Sequence, residues 1–529
     1  MLGKITKILL YIIPILAVLL LSVFLLKNSF SYSDLDLGWH FQVGNNIIHN
    51  HSISQINHYN YTLYNQPWVD HEWLLNALIA YVYNFFGSLT LQLTFLALAL
   101  LAIYLSWRRS LLFNNSKLNK YLGFIVLFFG IWASQPHLGI RVQEFGLVGI
   151  AALLLLIDNY PRKRHLLYFA PFLFLLWANV HASFILGLIL FGLYCVYLYL
   201  ASYLSKLPFF RYFSFSLLDN KDKHKVLLAL ILSLAVTLIN PYGVYLYSFL
   251  GGYSNTFYMS YIREWQGQYS LPLYYPQIIF LSLSVAGAII WAWFSNRNKE
   301  KISLWNFGLF VLFFVLAWRS RRHFPLFVIA SLPLVVLFYQ DILKSVWQNL
   351  TDGIKTLILS FLALSLLFTS SLMALDIPFN QHVINSFCDI KYPCAAVNYL
   401  KIHSETERKR IFSEYNWGGY LIWAYPDKQL FIDGRMPQVF YKNHSILEEY
   451  LEFRESPEKA QQKLDEYQVD LVLIKNKSVG LKLKSWEKIL LNVKDDDLVA
   501  KDALRDFLSE SDNWQMVFQD DLSLIYIRK

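Results

Sequence analysis

Ser33-Asp34-Leu35-Asp36-Leu37-Gly38-Trp39-His40 comes directly after an apolar run, Ile8 to Leu26, that is long enough to cross a bilayer. Two carboxylates and a histidine at a membrane exit are costly to hold near lipid, so the stretch calls for a function. A second polar cluster, Trp68-Val69-Asp70-His71-Glu72-Trp73, precedes the next apolar run. No small-residue cleavage site follows the first run, which therefore reads as a retained helix rather than a signal peptide.

Working outward, 56% of the 529 residues are hydrophobic and 16% charged, and the mean hydropathy is +0.37. An ordinary soluble domain is excluded by that balance, and a polytopic helical membrane protein is the expected class. The net charge of +9 would suggest nucleic acid in a soluble protein. Here the positive-inside rule accounts for it, which leaves membrane lipids and no nucleic acid among the partners. Cys388 and Cys394 bracket Asp389-Ile390-Lys391-Tyr392-Pro393. They pair if the segment lies in an oxidising compartment and stay as two thiols otherwise, while Cys195 sits inert in an apolar run.

Lysine and arginine positions thread the chain. With Lys4 and Lys7 inside, about 11 spans are expected. They fall near 8–27, 88–106, 121–135, 145–158, 165–180, 183–204, 226–239, 276–295, 303–318, 324–339 and 356–374. Surface helices are expected at 38–50 and 71–86, the latter alternatively a short span. The domains are then a transmembrane unit, 1–375, with a large first outer loop, 28–87, and an extracytoplasmic α/β domain, 376–529. In that domain Arg410–Phe412, Gln429–Ile432 and Asp470–Ile474 read as strands, 443–453 and 457–467 as helices, and Trp514–Ile527 as a hairpin.

This threading puts nineteen lysines and arginines inside and every unusual polar cluster outside. Arg141, Arg263, Arg319, Arg321 and Arg322 break the rule by lying outside at helix ends. A lipid phosphate or pyrophosphate would explain them; the alternative is a miscounted helix that returns Arg319–Arg322 to the inside. Asp34 and Asp36 can divide the work of base and orienting group, since a partly dehydrated carboxylate has the raised pKa that base catalysis uses. Asp36 can alternatively cap the next helix. Asp70, His71 and Glu72 offer acid, base or ligand groups, Asp70 also as a cap. Asn179 and His181, beyond a span, are either site groups or interfacial. Arg141 with Glu144 and Arg263 with Glu264 can form internal salt bridges. No zinc spacing, P-loop or GxGxxG occurs.

The motifs, taken in order, are specific. Asp34 to Gly44 reads Asp-x-Asp-x-Gly-Trp-His-x-x-x-Gly, and Trp68 to Leu74 reads Trp-x-x-His-Glu-Trp-Leu. Then come Trp177-Ala178-Asn179-Val180-His181, Asn240-Pro241-Tyr242-Gly243 and Arg319-Ser320-Arg321-Arg322-His323-Phe324-Pro325. The last two are Trp417 to Leu421 and Phe431-Ile432-Asp433-Gly434-Arg435. The chain resembles polytopic bacterial membrane proteins of the GT-C glycosyltransferase superfamily, those described as mannosyltransferase-like or as carrying an RgtA/B/C/D-like domain.

The resemblance implies inverting transfer of a sugar from a polyprenyl-phosphate donor to a lipid, glycan or protein acceptor, outside a bacterial cytoplasmic membrane. It implies an acidic base in the first outer loop. Asp36 is the first choice, with Asp34 and Glu72 orienting the acceptor or a metal and His71 beside them. Arg321 and Arg322, with Arg319, Arg141 and Arg263, would grip the donor phosphate. His40, Asp70, Asn179 and His181 would contact sugar or acceptor. No cofactor is required by this reading, although the carboxylates leave room for a divalent cation. A multi-pass transporter and a non-catalytic envelope-assembly protein are the rival classes.

Overall fold

The computed structural model describes residues 2–31, 34–252, 256–298, 301–375, 377, 388, 390–441, 444–477, 483–491 and 502–529. Fourteen of its helices precede residue 376: α1 (Leu2–Ser31), α2 (Leu37–Asn50), α3 (Trp73–Phe113), α4 (Lys117–Ala133), α5 (Gln143–Asn159), α6 (Ala170–Ala178), α7 (Phe184–Leu204), α8 (Asn220–Val236), α9 (Tyr245–Gly251), α10 (Thr256–Tyr261), α11 (Tyr275–Asn298), α12 (Leu304–Arg319), α13 (Phe324–Asn349) and α14 (Asp352–Leu375). Two short strands, β1 (Phe213–Ser214) and β2 (Ile302–Ser303), pair in parallel among them.

Six helices among the described residues are long and apolar enough to cross a membrane. The expected count of about 11 goes beyond this because several segments are short. Leu118–Ala133, Arg164–Ala178 and Leu304–Arg319 are apolar helices of 10–17 residues, below or at the length a straight span requires. The expected surface helix at 71–86 and the span at 88–106 are continuous in α3. They meet at Gly87, whose φ of +81° breaks the helix at a position where only glycine is unstrained.

Helices α1 and α14 lie side by side and run the same way. Thr6 Oγ1 meets Thr356 Oγ1 at 2.7 Å near their starts, and Leu26 packs with Ile377 at their ends. Two helices that leave a bundle in the same direction deliver their downstream segments to the same end, so the first loop and the C-terminal region are neighbours.

The C-terminal region holds a four-stranded sheet in the order β3-β6-β8-β7, built from β3 (Ile411–Ser413), β6 (Leu471–Lys475), β7 (Trp514–Gln519) and β8 (Ser523–Arg528). β3 and β6 are parallel, and the other neighbours antiparallel. A small ladder of β4 (Phe440–Tyr441) and β5 (His444–Ser445) leads into the helix Ile446–Glu452, which Ser445 and Glu448 start with a capping box. The run Leu471–Ile474 is buried on both faces, as expected of a strand covered by helices such as Pro457–Glu466. Gln429–Ile432 is not a ladder strand. Leu430 instead bridges to Asn60 of the first loop. Cys388 and Cys394 are disulfide-bonded.

The apolar core divides in two. One cluster runs through the helix bundle. The other joins the C-terminal sheet to Leu37, Trp39, Phe41, Leu63 and Trp68. The first loop and the C-terminal region therefore share one interior.

Candidate active site

The turn between α1 and α2 is fixed from several sides. Asp34 N–H donates to Ile140 O at 3.4 Å, Tyr392 Oη donates to Asp34 O at 3.2 Å, and Asp36 N–H donates to Asp34 Oδ1 at 3.2 Å. The Asp34 carboxylate thus closes its own turn. Asp36 sits at the N-cap of α2, yet its side chain makes no capping hydrogen bond. Two glycine-bearing segments of the C-terminal region press on this turn. A Cβ on Gly419 would stand 2.6 Å from Leu35 O, and one on Gly434 would overlap Asp36 Oδ1. Only backbone without side chains can approach the carboxylate this closely.

Burial, then the neighbouring Asp34 and Asp433 carboxylates, push the Asp36 carboxyl up to about 8. Glu264 adds to this from the other side. Glu264 is itself shared by two guanidiniums. Arg141 Nη1 lies 3.1 Å from its Oε2 and Arg322 Nη1 2.7 Å from its Oε1. Burial alone would raise Glu264, but Arg322 and Arg141 outweigh it and hold the carboxyl down at about 2. Arg322 also stacks 4.8 Å over the Trp265 ring. The Asp34 carboxylate acts on both arginines as well, and Arg141 Nε is a buried donor with no partner among the described residues. An anion placed there would meet charge-assisted donors.

The other arginines point elsewhere. Arg321 donates through Nε to Gly267 O at 3.2 Å and through Nη2 to Ser270 O, so it fastens the loop before α11. Arg319 and Arg263 are exposed. Arg141 pairs with Glu264, not Glu144, whose Oε1 accepts the Gly139 N–H at 2.9 Å.

Glu72 lies between two imidazoles, 3.6 Å from His71 Nε2 and 3.7 Å from His181 Nε2. Burial, then Asp70, raises Glu72 well above the ordinary carboxylate range. Burial lowers His71 to about 4 and, with Arg322, holds His181 well below the usual imidazole range. Burial thus disfavours charge on all three groups. His40 and Asp70 are 1% and 2% exposed and are joined through one amide. His40 Nδ1 meets Asn76 Oδ1 at 2.6 Å, and Asn76 Nδ2 donates to Asp70 Oδ1 at 2.9 Å. Asn179 accepts from Trp73 Nε1 at 2.9 Å and donates to Leu175 O and Ile239 O. All three are buried among these partners.

Asp433 and Arg435 were visible in the sequence only as part of a motif. In the fold Arg435 is clamped by Asp433, with Nε–Oδ1 at 2.9 Å and Nη2–Oδ2 at 2.6 Å. Its Nη2 reaches Asn57 and Asn60 of the first loop at 3.0 and 3.1 Å, and its guanidinium covers Tyr59 and Trp68 at 4.4 and 4.7 Å. The Asp-Gly-Arg spacing is the signal: the glycine touches Asp36 while its neighbours lock the loop that carries it.

For a metal, one group among the described residues brings three ligand atoms within 4.8 Å of one another, His444, Glu449 and Glu452. Lys463 Nζ already lies 2.6 Å from Glu449 and 2.9 Å from Glu452, so an ammonium neutralises those carboxylates.

A helix bundle whose first loop packs against a C-terminal sheet region also occurs among solved structures. Among solved structures, that of Archaeoglobus fulgidus oligosaccharyltransferase in the apo form matches with a TM-score of 0.56 at 11% identity, over 88% of this chain and 69% of that one. The same enzyme tethered to an acceptor peptide containing the NVT sequon matches with a TM-score of 0.54 at 12% identity, over 88% of this chain and 69% of that one. Oligosaccharyltransferase AglB from that organism, in complex with an inhibitory peptide and a dolichol-phosphate, gives a TM-score of 0.55 at 12% identity, over 89% of this chain and 69% of that one. No protein-family model and no curated protein matches. At this identity the likeness is one of fold.

Proposed function

We propose that the protein is a membrane glycosyltransferase that moves a sugar from a polyprenyl-phosphate donor to an acceptor hydroxyl with inversion, outside a bacterial cytoplasmic membrane. In this reading the amino terminus lies inside and the C-terminal domain outside. The acceptor is a lipid, a glycan or a protein. One observation carries the reading: a carboxylate with its pKa pushed to about 8 stands beside two arginines that share a single acid.

Asp36 takes the proton of the acceptor hydroxyl as that oxygen attacks the anomeric carbon. The bond from that carbon to the lipid-phosphate oxygen breaks, and Arg141 and Arg322 stabilise the charge gathering on the departing phosphate. Asp34 and Asp433 raise the Asp36 pKa, and Glu72 with His181 offers hydrogen-bonding groups to the sugar. A transporter would place its ionisable groups near the bilayer midplane, whereas these gather where helices end.

The test uses the full-length protein, purified and given a panel of polyprenyl-phosphate sugars. Asp36→Asn is expected to abolish transfer while Arg322→Gln raises the donor KM. Transfer undiminished in Asp36→Asn would refute the assignment of the base.

A further inference from the structure

A tyrosine hydroxyl of the C-terminal region reaches the turn that carries Asp36. Tyr392 is 2% exposed, and its Oη donates to Asp34 O at 3.2 Å. The same carbonyl accepts the Leu37 N–H at 3.2 Å, where α2 begins. Asp36 stands between Asp34 and Leu37 in the chain, so the place of Asp34 O sets the direction in which the Asp36 carboxyl leaves the backbone. The Asp36 side chain makes no capping bond to α2, which leaves the turn to aim it.

Tyr392 is in turn held by the disulfide. Cys388 and Cys394, six apart in sequence, are bonded, and Cys388 bridges to Tyr392 across the loop they close. The Tyr392 ring stacks on Tyr420, with centroids 4.7 Å apart and planes 7° from parallel. Tyr420 Oη donates to Cys394 Sγ at 3.1 Å, which ties the stack to the bond. Trp417 Nε1 donates to Lys391 O at 2.9 Å. Gly419, between Trp417 and Tyr420, already lies against Leu35 O, so loop, stack and Asp36 turn pack as one unit. Cys394 also opens the helix Cys394–Ile402, which packs on β7 and β8. Opening the S–S bond returns conformational freedom to the short loop that presents the Tyr392 hydroxyl.

We propose that Tyr392 is a positioning residue for Asp36 and that the Cys388–Cys394 bond holds it there, so that full transfer requires the oxidised bond. The inference rests on Asp36 as the base. A soluble dithiol reverses the state: two electrons and two protons pass to the sulfurs, the S–S bond opens to two thiols, and the dithiol closes to its own disulfide. Cys388 is half-buried and Ile390, within the loop, is 71% exposed, so a small reductant has access. With the bond open the hydroxyl leaves Asp34 O, the turn loosens, and Asp36 loses part of the burial that raises its pKa.

The experiment takes the full-length protein in detergent, before and after dithiothreitol, with reduction counted as the mass gained on alkylation. It reads kcat and donor KM with a polyprenyl-phosphate sugar, and Tm, each as a function of pH. Tyr392→Phe keeps the stack and removes the hydroxyl. It should lower kcat about tenfold, the upper end of what a neutral hydrogen bond contributes, leave the donor KM unchanged, and move the pH midpoint of kcat below that of the wild type. A merely structural loss would shrink the active fraction and leave the midpoint where it was. Reduction should do the same to the wild type and add nothing in Tyr392→Phe, because both remove one contact. The double variant Cys388→Ser/Cys394→Ser should match reduced wild type and ignore the dithiol. The Tm margin that Asp36→Asn gains by losing a buried carboxyl should shrink in the Tyr392→Phe background and on reduction, a readout that needs no donor. If no donor supports transfer, the assignment of the base falls and the Tm margin still decides the role of Tyr392. A midpoint or margin that stays put in Tyr392→Phe, or in protein shown to be reduced, overturns the inference.

Discussion

In the proposed reaction Asp36 takes the acceptor proton, and its environment sets a pH dependence that can be measured. With the carboxyl at about 8, the base form appears only as pH rises through that value. Transfer is expected to climb with pH and reach half its plateau near 8, so a rate independent of pH between 6 and 9 would count against Asp36 as the base. Stability moves the other way. Unfolded, an aspartate ionises near its ordinary value of about 4. Between about 4 and about 8 the folded protein holds a proton that the unfolded chain releases, so folding loses stability steadily across that window. Asp36→Asn removes the charge, and its Tm should exceed the wild type by a margin that grows from pH 5 to pH 8. A thermal-shift series in detergent reads it directly. The pair Asp34/Asp36 was legible as a pair, because two acids at a membrane exit are conspicuous. Their division of labour was not. It depends on the Asp36 N–H reaching back to Asp34 Oδ1 and on Asp433 arriving from almost four hundred residues away.

Between α2 and the segments 417–420 and 431–435, glycines separate two kinds of contact, and substitutions should distinguish them. A Cβ on Gly434 would overlap the tip of the Asp36 side chain, which can swing away. Gly434→Ala should therefore keep the fold and lower kcat by roughly a hundredfold, the cost of misplacing a catalytic group by about 1 Å. A Cβ on Gly38 would overlap the backbone carbonyl of Gly419, and backbone on both sides cannot yield. Gly38→Ala should cost about 1–3 kcal/mol of stability, as overpacking does, and make the C-terminal domain more sensitive to protease. If both variants behave alike, the glycines share one role and the distinction fails. At this scale the sequence was partly readable. Short apolar runs between charged ones marked Leu471–Ile474 and the final hairpin, and longer runs marked the long helices. Gln429–Ile432 misled because its apolar residues are buried against the first loop, with Leu430 N–H donating to Tyr59 O at 2.8 Å, rather than in a sheet. An apolar pattern reports burial and not the partner.

For the whole molecule, orientation is the property that charge counting addressed and that packing now constrains. Since α1 and α14 run in parallel, the first loop and the C-terminal domain share an end whatever the number of crossings between them. Arg141 and Arg322 meet on Glu264 at that same end, which ties the middle of the chain to it as well. Helix count alone could not supply this. The short apolar helices blur the number of spans, whereas side-chain contacts fix which loops stand together. The lysine and arginine bias then makes one prediction about the cell. Arg263 is exposed at the Asp36 end, and Lys163 is exposed where α5 finishes, at the far end. Cys195 is buried, and Cys388 and Cys394 are bonded to each other, so a new cysteine would be the accessible thiol. In intact bacterial cells, Arg263→Cys should react with a membrane-impermeant maleimide and Lys163→Cys only after lysis. The reverse pattern would place Asp36 in the cytoplasm, where nucleotide sugars are available and a donor would need no lipid. The positive-inside assignment would then fall, and with it the need for a lipid-linked donor.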